Sequence, residues 1–258
     1  VGGPGCGIMS FDLATGSVLW RKHDFVNTYS SPIVISVDGR DEVVLLVDRE
    51  VVGIDPATGE IEWQFPHVNE WKTNIATPLW GSDHILTVSS GGDAGTRGLR
   101  ITRKDGKFAA EEVWSTRKMQ IGQSSAVRVG DYIYGCSGSE SVFFVTAVNA
   151  TNGHVAWRER GFGKSNLLYG DGKLILLDED GTLALATATP EALKVQSKVN
   201  LLKKSARVGR GQVGPQPGDP EEPGSWWTTP TLVGQRLFVR DNETIMALDL
   251  GSVNGGRS

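Results

Sequence analysis

Short apolar runs punctuate the chain, each bounded by Gly, Asp, Asn or Ser: EVVLLVD at 42–48, HILTVSS at 84–90, YIYGCSG at 132–138, KLILLDE at 173–179 and RLFVRDN at 236–242. Runs of this length, rich in Val, Ile, Leu and Thr, predict β-strands. About ten residues ahead of each stands a small polar cluster leading a further strand: Ser30, Ala76, Ser124, Ser165 and Thr228 open SSPIV, ATPLW, SSAVR, SNLLY and TTPTL. A third strand follows each central one: VVGID, GLRIT, FVTAVN, TLALATA and TIMALDL. A fourth carries a tryptophan in the first three units, ALKVQSKVNLL replaces it in the fourth unit, and nothing follows in the fifth. The pattern predicts an all-β protein made of four-stranded antiparallel units.

The tryptophans set the period. Trp20 to Trp63 is 43 residues, Trp63 to Trp114 is 51 and Trp114 to Trp157 is 43, with the loop 89–98 the expected home of the extra eight. A period of 40 to 50 residues with four strands per unit is that of a β-propeller blade. The frame DLATGSVLW (12–20) recurs as DPATGEIEW (55–63). Its Thr-Gly marks a tight turn between third and fourth strands, where Gly takes positive φ cheaply and Asp bonds the backbone locally. Four residues beyond the Gly, the Trp is expected to cover the neighbouring blade, with burial worth ~3–5 kcal/mol.

The chain is therefore expected to form a single propeller domain over 1–258. It holds a partial blade at 7–22, four blades at 28–66, 73–116, 121–160 and 163–202, and an incomplete blade at 226–251. These pieces do not sum to a closed ring, and a propeller closes to remove its edges. The expectation is a fragment of a seven- or eight-bladed propeller, with two or three blades ahead of Val1. Residues 203–225, rich in Gly and Pro, cannot bury a core and predict a long flexible loop.

Composition narrows the function. Twenty-six basic and thirty acidic residues give a net charge of −4 with no sustained basic block, so nothing marks a nucleic-acid footprint. No apolar run reaches the ~18–20 residues of a membrane span, and no signal peptide opens the chain. Cys6 and Cys136 are expected as unpaired thiols. His23, His67, His84 and His154 lack zinc-type spacing and are expected at the surface. GFGKSN (161–166) lacks the spacing and the following helix of a phosphate loop, and DEDGT (178–182) reads as a hairpin turn on Asp180-Gly181.

The motifs GIDPATGEIEW, SFDLATGSVLW and AVNATNGHVAW resemble the tryptophan-docking repeat of quinoprotein, or PQQ-like, β-propellers, and nearly the whole chain is similar to bacterial BamB-related repeat proteins. The resemblance implies a periplasmic or extracytoplasmic location. It implies one of two occupations: a cofactor-free binding scaffold for a protein or carbohydrate partner, or a quinoprotein-type oxidoreductase holding PQQ and calcium in the funnel. The chain has neither the adjacent cysteines common in those dehydrogenases nor a Cys-x-x-Cys-His haem site, which favours the scaffold. No catalytic residue and no metal ligand is assigned. Connections from a fourth strand to the next first strand deliver residues to the funnel mouth in this fold. They contain Tyr29, Trp71, Lys72, Asn74, Gln120, Gln123, Lys164, Asn166, Trp226 and Trp227, an aromatic, amide and lysine set suited to a polar ligand. The ligand-binding candidates are Lys72, Asn74, Gln123, Lys164, Asn166 and Trp227.

Overall fold

The computed structural model describes residues 4–26, 28–71, 74–139, 142–201, 226, 228–241 and 244–251. Lys72, Trp227 and the expected flexible loop at 203–225 lie outside them. Among the described residues the chain forms 21 strands and no helix. No helix long and apolar enough to cross a membrane occurs among them.

The strands group into six antiparallel sheets, each a meander in chain order. Sheet 1 pairs β1 (Ile8–Phe11) with β2 (Val18–Lys22), and sheet 2 holds β3 (Ile33–Val37), β4 (Arg40–Leu46), β5 (Glu50–Ile54) and β6 (Ile61–Pro66). Sheet 3 holds β7 (Leu79–Trp80), β8 (Ile85–Ser89), β9 (Thr96–Lys104) and β10 (Lys107–Thr116). Sheet 4 holds β11 (Ala126–Val129), β12 (Tyr132–Ser139), β13 (Val142–Asn149) and β14 (Val155–Glu159). Sheet 5 holds β15 (Ser165–Gly170), β16 (Lys173–Asp178), β17 (Thr182–Ala188) and β18 (Leu193–Asn200), and sheet 6 holds β19 (Thr231–Val233), β20 (Arg236–Arg240) and β21 (Ile245–Asp249). This is the all-β, bladed architecture that the tryptophan period predicts.

The core lies between successive sheets. Val44, Leu46 and Trp63 of sheet 2 pack on Leu86, Leu99 and Phe108 of sheet 3, and Trp114 of sheet 3 packs on Ile133, Val148 and Ala150 of sheet 4. Tyr134, Val145 and Trp157 of sheet 4 meet Leu167, Leu174 and Leu176 of sheet 5, whose Ile175 and Leu177 meet Leu237 and Val239 of sheet 6. The central strands of sheets 3 and 5 are buried on both faces, so they read as nearly continuous apolar runs, whereas β20 of sheet 6 alternates.

The repeated frame shows how a sheet is locked to the next. The Asp55 carboxylate accepts from the backbone N–H groups of Ala57 (2.8 Å) and Thr58 (2.9 Å), and Gly59 follows at φ 73°. Gly16 and Gly153 hold the same place at φ 72° and 73°. A bulge then brings the tryptophan opposite a small residue on the third strand: Trp20 pairs with Ser10, Trp63 with Gly53, Trp114 with Gly98 and Trp157 with Ala147. The indole can lie flat there, because a Cβ on Gly98 would sit 2.2 Å from Trp114 Nε1. Three of the four indoles then reach the next sheet's turn. Trp20 donates to the Pro56 carbonyl (3.1 Å), Trp114 to Ala150 (2.7 Å) and Trp157 to Thr189 (2.8 Å).

The extra residues of sheet 3 are placed differently from the sequence expectation. Loop 90–95 takes only a few of them, and most lengthen the β9–β10 hairpin, whose strands run to 9 and 10 residues around a tight turn at Asp105-Gly106. A long two-stranded ribbon buries and pairs what a bare loop of that size would leave solvated.

Candidate binding face

In an antiparallel meander, the loop between second and third strands and the connection to the next sheet lie at the same end. Here the two sets of loops are bonded to each other. Beside sheets 2 and 3, the His67 imidazole meets the Ser90 hydroxyl at 2.9 Å, and Ser90 Oγ donates to Asn74 Oδ1. That chain of donors assigns His67 as the Nε2–H tautomer, leaving Nδ1 buried without a partner among the described residues. Asn69 Nδ2 also donates to Asn74 Oδ1 (2.9 Å), while Asn74 Nδ2 donates to the Val47 carbonyl (2.5 Å) and the His67 carbonyl (3.2 Å). His67, expected at the surface, is fully buried. Burial, followed by the charge of Arg97, pushes its pKa down to about 4, so the ring is neutral.

Above this cluster the exposed surface begins. Trp71 lies against Gly91 and Gly92, where added Cβ atoms would come within 3.1 and 3.2 Å of its ring, yet the side chain remains 59% exposed. The Glu70 N–H donates to Asp93 Oδ1 (3.2 Å), and Gln120 Nε2 donates to the Gly92 carbonyl (2.7 Å). Gly92 takes φ 67°, a conformation that a side chain would resist.

Beside sheets 4 and 5, Lys164 Nζ donates to Gln123 Oε1 at 2.8 Å and stands 6.0 Å from the Phe143 ring centre. The Lys164 backbone is bonded both ways to Glu179, through its carbonyl (2.8 Å) and its N–H (3.3 Å). Asn166 is buried one strand position further in. Its Oδ1 accepts from the Ser125 N–H (2.9 Å) and from the Thr229 hydroxyl (3.3 Å), which joins sheets 4, 5 and 6. Trp226, expected at the funnel mouth, is 1% exposed and packs in the core between sheets 5 and 6, because Ile175, Leu177, Leu237 and Val239 form an apolar slot there.

Of the six candidates, the structure brings Gln123 and Lys164 into direct contact, sets Asn166 behind them, and holds Asn74 in the separate His67 cluster. Lys72 and Trp227 lie outside the described residues. Sequence reasoning missed His67 and Ser90, whose only signal was the small polar pair Ser89-Ser90 at the end of a mostly apolar, fully buried strand. Cys6 and Cys136 are both free thiols, and burial pushes Cys136 up to about 11, far from a reactive thiolate. Calcium wants six to eight converging oxygens. Among the described residues no group of three or more His, Cys, Asp or Glu side chains is placed to hold a metal ion.

Successive antiparallel sheets, four of them four-stranded, with tryptophans of one sheet docked on the turns of the next, define a β-propeller of PQQ-like repeats. The model of the outer membrane protein assembly factor BamB family matches residues 1–199, and the chain belongs to that family. BamB from Moraxella catarrhalis is similar in structure, with 17% identity and a TM-score of 0.59 over 93% of this chain and 65% of that one. This chain therefore spans less than two thirds of that protein's length. The β-propeller domain of Myceliophteria thermophila Cps50 (Swd1) aligns at 11% identity and TM-score 0.57, over 93% of this chain and 74% of that one. The quinohemoprotein alcohol dehydrogenase ADHIIG from Pseudomonas putida HK5 aligns at 16% identity and TM-score 0.51, over 78% of this chain and 40% of that one. At these identities the likeness is one of fold. No curated protein matches the sequence.

Proposed function

We propose that the protein is a non-catalytic BamB-like propeller that binds a protein partner through its loop face, outside the cytoplasm and without a cofactor. The observation that carries this reading is Trp71, 59% exposed and held against the Gly91-Gly92 loop. An aromatic side chain fixed in place before binding loses little entropy on contact, and such anchors dominate protein interfaces. Lys164 and Gln123, joined at 2.8 Å, add a cation and an amide on the same side. His67, bonded to the Ser90 hydroxyl, is buried and neutral, which argues against an acid–base role for that imidazole.

The test is photo-crosslinking from single sites in living cells. Photoreactive residues at positions 71 and 123 are expected to trap the same protein, and one at position 107, at the far end of sheet 3, to trap none. Retention on a glycan array without protein crosslinks would put a carbohydrate in the partner's place. Saturable binding of PQQ with calcium would replace the scaffold reading by an oxidoreductase.

A further inference from the structure

A basic corner lies at the same loop end, on the edge strand of sheet 4. Arg158 and Arg160 both stand over one ring, Phe144, at 4.0 and 5.0 Å from its centre. The register explains why: Thr146 pairs with Arg158, so Phe144, Arg158 and Arg160 share one face of sheet 4, while Glu159 projects from the other. Val142 shares that face by strand alternation and is 49% exposed. Ser137, opposite Phe144 in the register, donates from its hydroxyl to the Lys118 carbonyl (3.3 Å), which brings the loop of Arg117 and Lys118 beside the same corner. All four basic residues are exposed, and none forms an ion pair among the described residues, although the protein as a whole carries −4.

Two guanidiniums on one phenyl ring are no more than about 9 Å apart, within about one Debye length, so each feels the other's charge. Stacking leaves the N–H edges of an arginine free, and that planar fork matches phosphate oxygens. An anion between the two forks would relieve their repulsion and engage both.

We propose that this corner docks on an anionic phospholipid surface, with Arg158 and Arg160 taking headgroup phosphates and Arg117 and Lys118 adding to the attraction. The apolar element favours a lipid surface over an acidic polypeptide. Val142, 49% exposed, lies among the charges beside the half-buried Phe144, and basic residues around an exposed apolar group are what an interfacial contact requires.

The test is cosedimentation of the full chain with vesicles of phosphatidylcholine alone or with one third phosphatidylglycerol. Binding is expected to the mixed vesicles only and to weaken with salt. R158Q/R160Q should lower the partition coefficient about thirtyfold, following the ~1 kcal/mol per basic residue near an anionic membrane. K104Q/K107Q makes the same charge change at exposed positions on the far hairpin and should bind as the unaltered protein does. Circular dichroism melts check that both variants fold. The proposal is overturned by absent binding to the mixed vesicles, by an equal loss in both variants, or by soluble polyglutamate binding this corner more tightly than the vesicles do.

Discussion

The Trp63 indole donates to the Glu42 carboxylate of its own sheet at 2.5 Å, whereas Trp20, Trp114 and Trp157 each donate to a backbone carbonyl of the next sheet. The exception has a local cause. The hairpin of the sheet after Trp63 is lengthened, with strands of 9 and 10 residues running out to the turn at Asp105-Gly106, and the indole bonds within its own sheet rather than to that turn. A carboxyl is buried to serve instead.

Glu42 is fully buried, and its second oxygen has no partner among the described residues. Arg40 bonds elsewhere, to Asp55 (2.6 Å) and Glu62 (2.5 Å). Burial, followed by the nearby Glu62 charge, raises the Glu42 pKa to about 7 against the partial opposition of the Trp63 hydrogen bond. The folded state thus holds the proton more tightly than the unfolded chain. Its contribution to stability is fully present below pH 4.5 and is lost as pH rises through 7. Glu42→Gln, the neutral isostere, should remove this slope and raise stability at pH 8 by up to about 3 kcal/mol. Urea unfolding at pH 5 and pH 8 measures it; an unchanged pH slope in the variant would assign the slope to other groups.

His67 works in the opposite direction. Its pKa is lowered to about 4, so its contribution is fully present above 6.5 and is lost as pH falls through 4. The two windows overlap, and in the unaltered protein the slopes oppose each other between about pH 4.5 and 6.5. Removing Glu42 should expose the histidine. In Glu42→Gln, stability is expected to fall steadily on acidification below pH 6.5, and the added change His67→Gln should flatten that fall. Denaturant titrations of the single and double variants at four pH values give the comparison.

The glycines beneath the indoles give a coupling that can be measured. A Cβ on Gly98 would sit 2.2 Å from Trp114 Nε1, so Gly98→Ala must displace the ring from its bond to the Ala150 carbonyl. Trp114→Ala should cost ~3–5 kcal/mol. Gly98→Ala should cost about 2 kcal/mol or more in the unaltered protein and close to nothing once Trp114 is already Ala, because the clash is gone. A double-mutant cycle by urea unfolding reads the difference directly. Additive costs would mean that the alanine strains the strand itself and not the ring above it.

Much of the fold was legible because its determinants are local. An Asx-Thr-Gly turn followed four residues later by Trp is contained in nine residues, and its repetition announces the blade. The small residue opposite each Trp, Ser10, Gly53, Gly98 or Ala147, was also present in the sequence as a further signal. The polar candidates are another matter. Asn74 and Asn166 stand out as amides in connections, but what they bond, the Val47 carbonyl and the Thr229 hydroxyl, lies 27 and 63 residues away. Nothing near them in sequence distinguishes an amide that knits sheets together from one that faces a ligand. Gln123 and Lys164 are 41 residues apart in the chain, and only the packing of neighbouring sheets brings them to 2.8 Å.

Trp71 should separate binding from stability. It is 59% exposed and rests on two glycines, so Trp71→Ala removes little buried area and should cost less than about 1 kcal/mol of stability. Trp63, 6% exposed in the core between sheets 2 and 3, should cost several times more when cut to Ala. Binding is expected to rank the two oppositely. Crosslinking from position 123 to the partner should fall at least tenfold in Trp71→Ala, as loss of an interface anchor worth ~2 kcal/mol implies. In a Trp63 variant chosen to stay folded, such as Trp63→Phe, the same crosslink should persist. If Trp71→Ala melted like a core variant, the ring would be holding loop 90–95 in place, and its exposure would then carry no message about a partner.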